Sequence, residues 1–260
     1  MELSASEHIV DGLVFDASLT LSRLEIIAAS GANISSSAST LLEVRAGSPP
    51  VKLQGLELDG QVIIEGGTVE VPVEIAGCRF RSSSARPGRR RLAAGTTMRA
   101  LLVSDGHVSI SDTFFEDLLD GAIEVSGGAL AVHASVFARN KAERGSALLI
   151  TGGKVVVDNS NFTGNRATDK IGGGAIHVEG TNVSLELANK TMITGSKDQG
   201  GSVVSDVRWQ YSLPAPLAHY VLDPAGRIQY PYEGDREGVA ENEAGRYNYD
   251  YPAQCGATLH

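Results

Sequence analysis

Aromatic residues, cysteine and basic residues are all scarce in this chain of 260 residues. Aromatics make up 5% of the sequence, which argues against a pocket lined by Trp and Tyr rings. The two cysteines, Cys78 and Cys255, lie far apart, so we expect two separate thiols rather than a disulfide framework. Acidic residues exceed basic ones and give a net charge of -9, which argues against nucleic acid as a partner.

Long apolar stretches are lacking as well. No run of 18 apolar residues occurs, so we expect no transmembrane segment. Residues 1–4 are not a basic region leading into an apolar one, so we expect no secretory signal peptide in this sequence. Residues 1–10 are short for covering the end of the repeat described below. We therefore expect the chain to be part of a longer protein with flanking modules.

A repeat is the main feature that the sequence does contain. Its units start at Ala100, Ala122, Ala147 and Ala175, so they are 22, 25 and 28 residues long. Apolar residues recur at offsets 1, 3, 8 and 10 from each alanine, and Phe recurs at offset 15. Counted in this way, the inward positions are Leu101, Val103, Val108, Ile110 and Phe115; then Ile123, Val125, Leu130, Val132 and Phe137; then Leu148, Ile150, Val155, Val157 and Phe162; then Ile176, Val178, Val183 and Leu185, with Lys190 in the aromatic position.

Apolar pairs two residues apart have the period of a β-strand, and their recurrence at this spacing predicts a β-solenoid. Less regular units extend it in both directions, including one in which Val69 and Val71 are predicted to face inward. We therefore predict an all-β, single-stranded parallel β-helix of about eight coils over residues 1–212. Residues 79–99 would form a basic loop excursion, and residues 213–260, rich in Pro and Tyr, a partly irregular cap or linker.

Outward positions of the repeat supply the candidate catalytic residues. Offset 11 holds Ser111, His133, Asp158 and Glu186. In stacked coils His133, Asp158 and Glu186 would form an exposed ladder with about 4.8 Å between neighbours. Such a ladder suits cation binding or acid–base chemistry. The simpler interpretation, that outward positions are polar because they face water, stays open, and we expect no bound metal or cofactor.

Two further sets of residues are candidates for binding or modification. Seven arginines fall in residues 79–99, among Ser, Pro and Gly residues typical of a loop. The loop is either simply solvated or a contact for anionic polysaccharide or phosphate, with Arg86, Arg89, Arg90 and Arg91 as candidates. Glycosylation sequons occur at Asn33, Asn161, Asn182 and Asn189, which favours an extracellular or cell-surface location unless they arose by chance.

Motifs at the corners of the repeat carry a family resemblance. Gly173-Gly174-Ala175-Ile176 reads GGAI, and residues 137–140 and 162–165 both read FxxN. Over about residues 98–203 this pattern resembles the repeat of chlamydial polymorphic outer-membrane proteins. More broadly, it resembles the right-handed parallel β-helix, or pectin-lyase-like, superfamily. The resemblance implies a right-handed coil, in line with the rule for parallel crossovers, and surface display or adhesion.

Two functional hypotheses follow. The first is a non-catalytic module of a cell-surface or extracellular protein, such as the large surface proteins of algae and protists that contain similar repeats. It would be structural or adhesive and bind a glycan or protein ligand. The alternative is a polysaccharide-active lyase or glycoside hydrolase, as occurs in the superfamily, that uses His133, Asp158 and Glu186. The Asn-Thr-Asp, Asp-Asp and Gly-His-Gly motifs of polygalacturonases do not occur in the sequence, which favours the first hypothesis.

Overall fold

The structure is a computed structural model. It describes residues 2–3, 7–10, 12–19, 21–81, 98–169, 173–180, 183–196, 207–210, 221–222, 228–229, 240–242 and 246–248. Only secondary structure is described for residues 2–3, 7, 9–10, 29–31, 37–39 and those from 207 onward. Residues 86–91, Asn182, Cys255 and most of the predicted tail therefore lie outside the described residues.

The described residues form strands and turns, without any helix among them. The strands are β1 Glu2–Leu3, β2 Glu7–Val10, β3 Leu13–Phe15, β4 Leu24–Val44, β5 Val51–Ile64, β6 Val73–Ala76, β7 Arg79–Phe80, β8 Leu101–Val103, β9 His107–Ser111, β10 Phe114–Glu116, β11 Ile123–Val125, β12 Ala129–His133, β13 Val136–Ala138, β14 Lys141–Ala142, β15 Leu148–Ile150, β16 Gly153–Asp158, β17 Asn161–Thr163, β18 Arg166–Ala167, β19 Ile176–Glu179, β20 Val183–Ala188, β21 Met192–Thr194, β22 Val207–Gln210, β23 Val221–Leu222, β24 Ile228–Gln229, β25 Ala240–Asn242 and β26 Arg246–Asn248.

Twenty of these strands form one parallel sheet that curls into a half-barrel. This architecture is consistent with a parallel β-helix. Strands β14 and β18 make a separate parallel pair. The pairs β23–β24 and β25–β26 are antiparallel and lie in the segment predicted to be partly irregular. No helix in the described part of the chain is long and apolar enough to cross a membrane.

The strands of the large sheet fall into three series, named here A, B and C. Series A runs β8–β11–β15–β19–β22, series B runs β6–β9–β12–β16–β20, and series C runs β7–β10–β13–β17–β21. The long strand β5 pairs with β6, β7 and β8 and so contributes to all three series. Each turn of chain therefore adds one strand to each series.

Strand register in series A places the offset-1 residues of the repeat opposite one another. Leu101, Ile123, Leu148 and Ile176 are successive partners, and all are buried. In series B the last unit shifts, because Leu185 rather than Val183 lies opposite Val155. From Ile176 to Leu185 the chain is two residues longer than between their register partners, Leu148 and Val155. The extra length moves the buried pair to Leu185 and Leu187.

Series C contains a continuous stack of phenylalanine rings in the core. The rings of Phe80, Phe115, Phe137 and Phe162 are nearly parallel, with centroids 4.6, 4.9 and 4.5 Å apart. These spacings match the separation of neighbouring strands, so strand pairing itself imposes the ring stacking. Ile193 continues the column, not Lys190 three residues earlier, because the extension before β20 adds two residues and the turn before β21 adds one.

Buried hydroxyl groups satisfy the backbone at the corner between series B and series C. Ser135 Oγ accepts a hydrogen bond from the Thr113 N–H at 3.2 Å, and Ser160 Oγ accepts one from the Ser135 N–H at 3.1 Å. Each of these hydroxyls also donates to the carbonyl oxygen two residues before it. Residues preceding them, including Ala134 at φ 47°, adopt the left-handed conformation that turns the chain.

Asparagine side chains likewise satisfy backbone hydrogen-bonding groups after the strands of series C. Asn140 Oδ1 accepts from the Leu118 N–H at 3.1 Å, and its Nδ2 donates to the Phe115 carbonyl at 2.9 Å. Asn165 repeats both contacts one unit later, with the Asn140 N–H and the Phe137 carbonyl. Both side chains are buried. The FxxN motif is therefore a ring in the stack followed by an amide that closes the corner.

The corner between series A and series B is tight enough to require glycine. Gly106 has φ 79°, and a Cβ on it would lie 1.9 Å from the Gly66 carbonyl oxygen. Gly77, at another corner, has φ 59° but no heavy atom within 4 Å of its Cβ position. The two glycines therefore separate the effect of backbone conformation from that of close packing between coils.

Replacing Gly106 by Ala should lower the free energy of unfolding by about 3 kcal/mol or more, because conformational strain and a backbone clash add together. Gly77→Ala should lower it by about 1–2 kcal/mol, from the left-handed conformation alone. Urea unfolding of both variants measures the difference. Equal losses would show that the close contact between coils at Gly106 adds no cost to the Ala substitution.

Replacing Phe115 by Ala should lower the free energy of unfolding by about 3–5 kcal/mol, because its buried ring is sandwiched between two others. The adjacent Phe114 faces outward, so Phe114→Ala should lower it by only about 1 kcal/mol. Chemical denaturation of the two single variants provides the comparison, and similar losses would contradict the assigned register.

Candidate functional site

The predicted ladder lies at the ends of the series B strands. Ser111, His133 and Asp158 are successive register partners on β9, β12 and β16. The prediction for Glu186 was wrong in register: Ala188 lies opposite Asp158, and Glu186 lies opposite Val156. The cause is the same two-residue extension before β20 that moved the buried pair. The structure thus brings together His133 and Asp158 but places Glu186 two residues earlier on the next strand.

Hydrogen bonds from two neighbouring units meet at the Asp158 carboxylate. His133 Nδ1 lies 2.8 Å from Asp158 Oδ2, and Asn189 Nδ2 donates to Oδ1. The His133 side chain is 59% exposed and that of Asp158 27% exposed. Asn189 adopts the left-handed conformation at φ 50° in the turn before β21. Both carboxylate oxygens are therefore occupied by side chains of the same protein.

These contacts set the charge state of Asp158. The hydrogen bond from Asn189 lowers the pKa of the Asp158 carboxyl below its ordinary value; desolvation opposes this shift, and the hydrogen bond from His133 adds to it. The carboxylate form is therefore favoured. With its proton on Nδ1, His133 donates to this carboxylate and its Nε2 is an acceptor.

The chemistry available to this pair is narrower than the predicted ladder would allow. Glycoside hydrolysis needs one carboxyl group held protonated as a general acid, which requires a raised pKa. Asp158 has a lowered pKa, so it suits charge stabilisation or orientation of His133 and not proton donation. Among the described residues no group of three His, Cys, Asp or Glu side chains is placed to hold a metal ion.

Arginines of the predicted basic loop that the structure describes are used in packing. Arg79 belongs to β7, and its guanidinium lies 5.1 Å from the ring centroid of Phe114. Arg81 lies 3.7 Å from a carboxylate oxygen of Glu57. The predicted loop 79–99 therefore begins too early, because residues 79–80 still belong to the sheet. The candidates Arg86, Arg89, Arg90 and Arg91 lie outside the described residues.

Among the arginines predicted to lie in a solvated loop, Arg99 departs most clearly from the prediction. Its side chain is 2% exposed, and it donates to the carbonyl oxygens of Gly145 at 2.7 Å and Arg144 at 2.5 Å. Glu124 lies 3.7 Å away. Burial lowers the pKa of Arg99 to about 10, which still leaves it charged at neutral pH. Nothing in the run of arginines distinguished this residue, because its partners are backbone groups 45 and 46 residues later.

The remaining predicted sites are distributed over the surface. Asn161 is exposed on β17, Asn189 is exposed but bonded to Asp158, and Asn33 is half-buried.

Cys78 is buried, and desolvation raises the pKa of its thiol to about 11. It is thus unreactive at neutral pH. The pairing state predicted for Cys78 and Cys255 stays a prediction.

Replacing Asp158 by Asn should lower the free energy of unfolding at pH 7 by at most about 1 kcal/mol, because a partly exposed pair is screened by solvent. Since the pKa of Asp158 is lower in the folded state than in the unfolded chain, its contribution is present above the ordinary value of 3.8 and is lost as pH falls through the folded pKa. The wild type and Asp158→Asn should therefore converge in stability toward pH 2.

Urea unfolding at pH 7, 4 and 2 measures this convergence. Asp112→Asn is the matched control, since Asp112 is an exposed carboxylate one residue beyond Ser111. A stability difference for Asp158→Asn that stays constant with pH would show that the lowered pKa contributes nothing to folding.

Comparison with known proteins does not extend this picture. No protein-family model, curated protein or solved structure significantly matches the chain. The likeness carried by the GGAI and FxxN motifs stays a prediction.

Proposed function

We propose that this chain is a non-catalytic module of a cell-surface or extracellular protein, with a structural and adhesive role. In this proposal the parallel sheet is a right-handed, single-stranded β-helix of about eight coils, and it acts as a rigid element between flanking modules of a longer chain.

The observation that carries the proposal is that charged outward side chains pair with each other across neighbouring strands. Arg139 binds Asp117 through two hydrogen bonds of 2.9 and 2.8 Å. Lys52 lies 3.4 Å from Glu74. His133 and Asn189 both bind Asp158. Each exposed pair contributes little to the free energy of unfolding, but in each of them the charged group is engaged in a coil-to-coil contact.

Location outside the cell is supported by a glycosylation sequon and by the sequence resemblance. Asn161 lies in a sequon and is exposed, so it is accessible for glycan attachment. The resemblance to surface-protein repeats favours the same location. A parallel β-helix suits it physically, because a stack of coils forms an elongated surface without a large domain core.

The polysaccharide-active alternative rests on one observation, the hydrogen-bonded pair of His133 and Asp158. A His oriented by a carboxylate resembles half of a general-base arrangement. Its proposed partner Glu186 is displaced in register, and each Asp158 oxygen already accepts a hydrogen bond. The pair is therefore better explained as a contact between coils.

A glycan array together with a cleavage assay tests the proposal. The purified chain should release no products from pectate, alginate or sulfated polysaccharide, as measured by reducing-end assay and mass spectrometry. Any glycan that it binds on the array should be recovered intact. His133→Ala and Asp158→Ala should leave binding within about twofold of the wild type, since neither residue is assigned to ligand.

Product release that is lost in both variants, while their unfolding midpoints stay near the wild-type value, would overturn the non-catalytic assignment. Release that persists in both would place a catalytic site elsewhere and would also overturn it.

A further inference from the structure

A groove runs along the corner where the chain passes from series A to series B. Its volume is about 640 Å³, within the range of ligand-binding sites. Residues 46–51, 65–71 and 105–107, with Val73 and Gly128, line it. These segments belong to successive turns of the chain, so the groove follows the direction in which the strands stack.

An exposed apolar patch forms one side of the groove. The alternation of the sequence predicted Val69 and Val71 to face inward, and that prediction was wrong. They lie in a turn in which the Thr68 N–H donates to the Val71 carbonyl at 2.9 Å and the Val71 N–H donates to Thr68 Oγ1 at 3.2 Å. The turn leaves Val69 70% and Val71 44% exposed. Pro50 lines the same groove.

Acidic side chains complete the lining. Glu65, Glu70 and Asp105 are carboxylates, whereas the lining residues include no Lys or Arg. Arg45, which precedes the groove in sequence, is bound to Glu43 at 2.6 Å and also interacts electrostatically with Glu65. Asp105 and Glu65 accept hydrogen bonds from the Gly106 N–H and from Ser104 Oγ, respectively, which fix their positions. The groove thus combines negative charge with aliphatic surface.

The size and lining of the groove indicate its occupant. Loops from four successive turns span on the order of 15 Å at the spacing of paired strands, which is the length of about five residues of extended polypeptide. Branched aliphatic side chains at the rim favour aliphatic groups of a ligand. Carboxylates favour cationic groups, by attraction and by repelling acidic competitors. Among the lining residues there is no Trp, Tyr or Phe ring on which a sugar could stack.

We propose that this groove binds an extended polypeptide segment in which basic side chains alternate with aliphatic ones. Val69, Val71 and Pro50 contact the aliphatic side chains, and Glu65, Glu70 and Asp105 pair with the basic ones. The inference names a partner for the interaction module proposed above and rests on that function. The test below is independent of the glycan and cleavage assays, so either proposal can fail alone.

Three fluorescent hexapeptides are the probes: alternating lysine and valine, alternating glutamate and valine, and alternating lysine and serine. Fluorescence anisotropy at 50 and 300 mM NaCl measures binding to the full chain. The lysine–valine peptide should bind at least about tenfold more tightly than either of the others, because only it satisfies both charge and apolar surface. Its affinity should fall at the higher salt concentration.

Paired variants locate the binding site. Glu65→Gln combined with Glu70→Gln, and Val69→Ser combined with Val71→Ser, should each weaken binding of the lysine–valine peptide about fivefold or more. The matched controls are Glu143→Gln and Val14→Ser, which change an exposed acid and an exposed valine outside the groove and should leave affinity unchanged. Unfolding midpoints establish that every variant is folded.

Three results would overturn the proposal: no binding of the lysine–valine peptide at 1 mM, equal binding of the lysine–serine peptide, or binding that survives both groove variants. The last two would show that a net charge of -9 attracts cations without a defined site.

Discussion

Each turn of this chain depends on hydrogen bonds that it makes to the turns before and after it. In the sheet these are the parallel strand pairs. At the corners they are the buried hydroxyls of Ser135 and Ser160, the amides of Asn140 and Asn165, and the Thr113 hydroxyl, which accepts from the Cys78 N–H at 3.3 Å. A buried backbone N–H group at a corner would destabilise the fold if it had no hydrogen-bond partner. Because these corners take their hydrogen-bond partners from the next turn, each such turn requires a neighbour in register. The ring stack and the outward ion pairs follow from that register.

Much of the buried pattern could be predicted from the sequence, because inward positions of a repeated strand must be apolar in every unit. Leu101, Ile123, Leu148 and Ile176 are an example. The errors occur where connections change length. Two added residues before β20 displaced Glu186 from Asp158, and a turn at residues 68–71 exposed Val69 and Val71. Alternation alone cannot distinguish a strand from a turn that has the same apolar spacing.

Candidate site residues were harder to predict than the core, since outward positions tolerate many residue types and carry little pattern. The contact of His133 with Asp158 could be predicted from strand register. The second contact of Asp158, with Asn189, could not, because it depends on a left-handed residue in an irregular turn. The burial of Arg99 depends on backbone carbonyl groups. Every residue has one, so the sequence does not show which of them will bind the guanidinium. The groove likewise arises from loop lengths that differ between turns.

Arg99 also changes how the fold responds to mechanical force. In a stack whose turns contact only their nearest neighbours, pulling on one end peels off single turns at similar loads. The Arg99 guanidinium enters just before β8 but binds carbonyls just before β15, passing over β11. Pulling Arg144 out of the fold would leave the buried Arg99 guanidinium, two turns away, without its carbonyl partners. Those turns should therefore yield together, as one larger step in a force–extension trace.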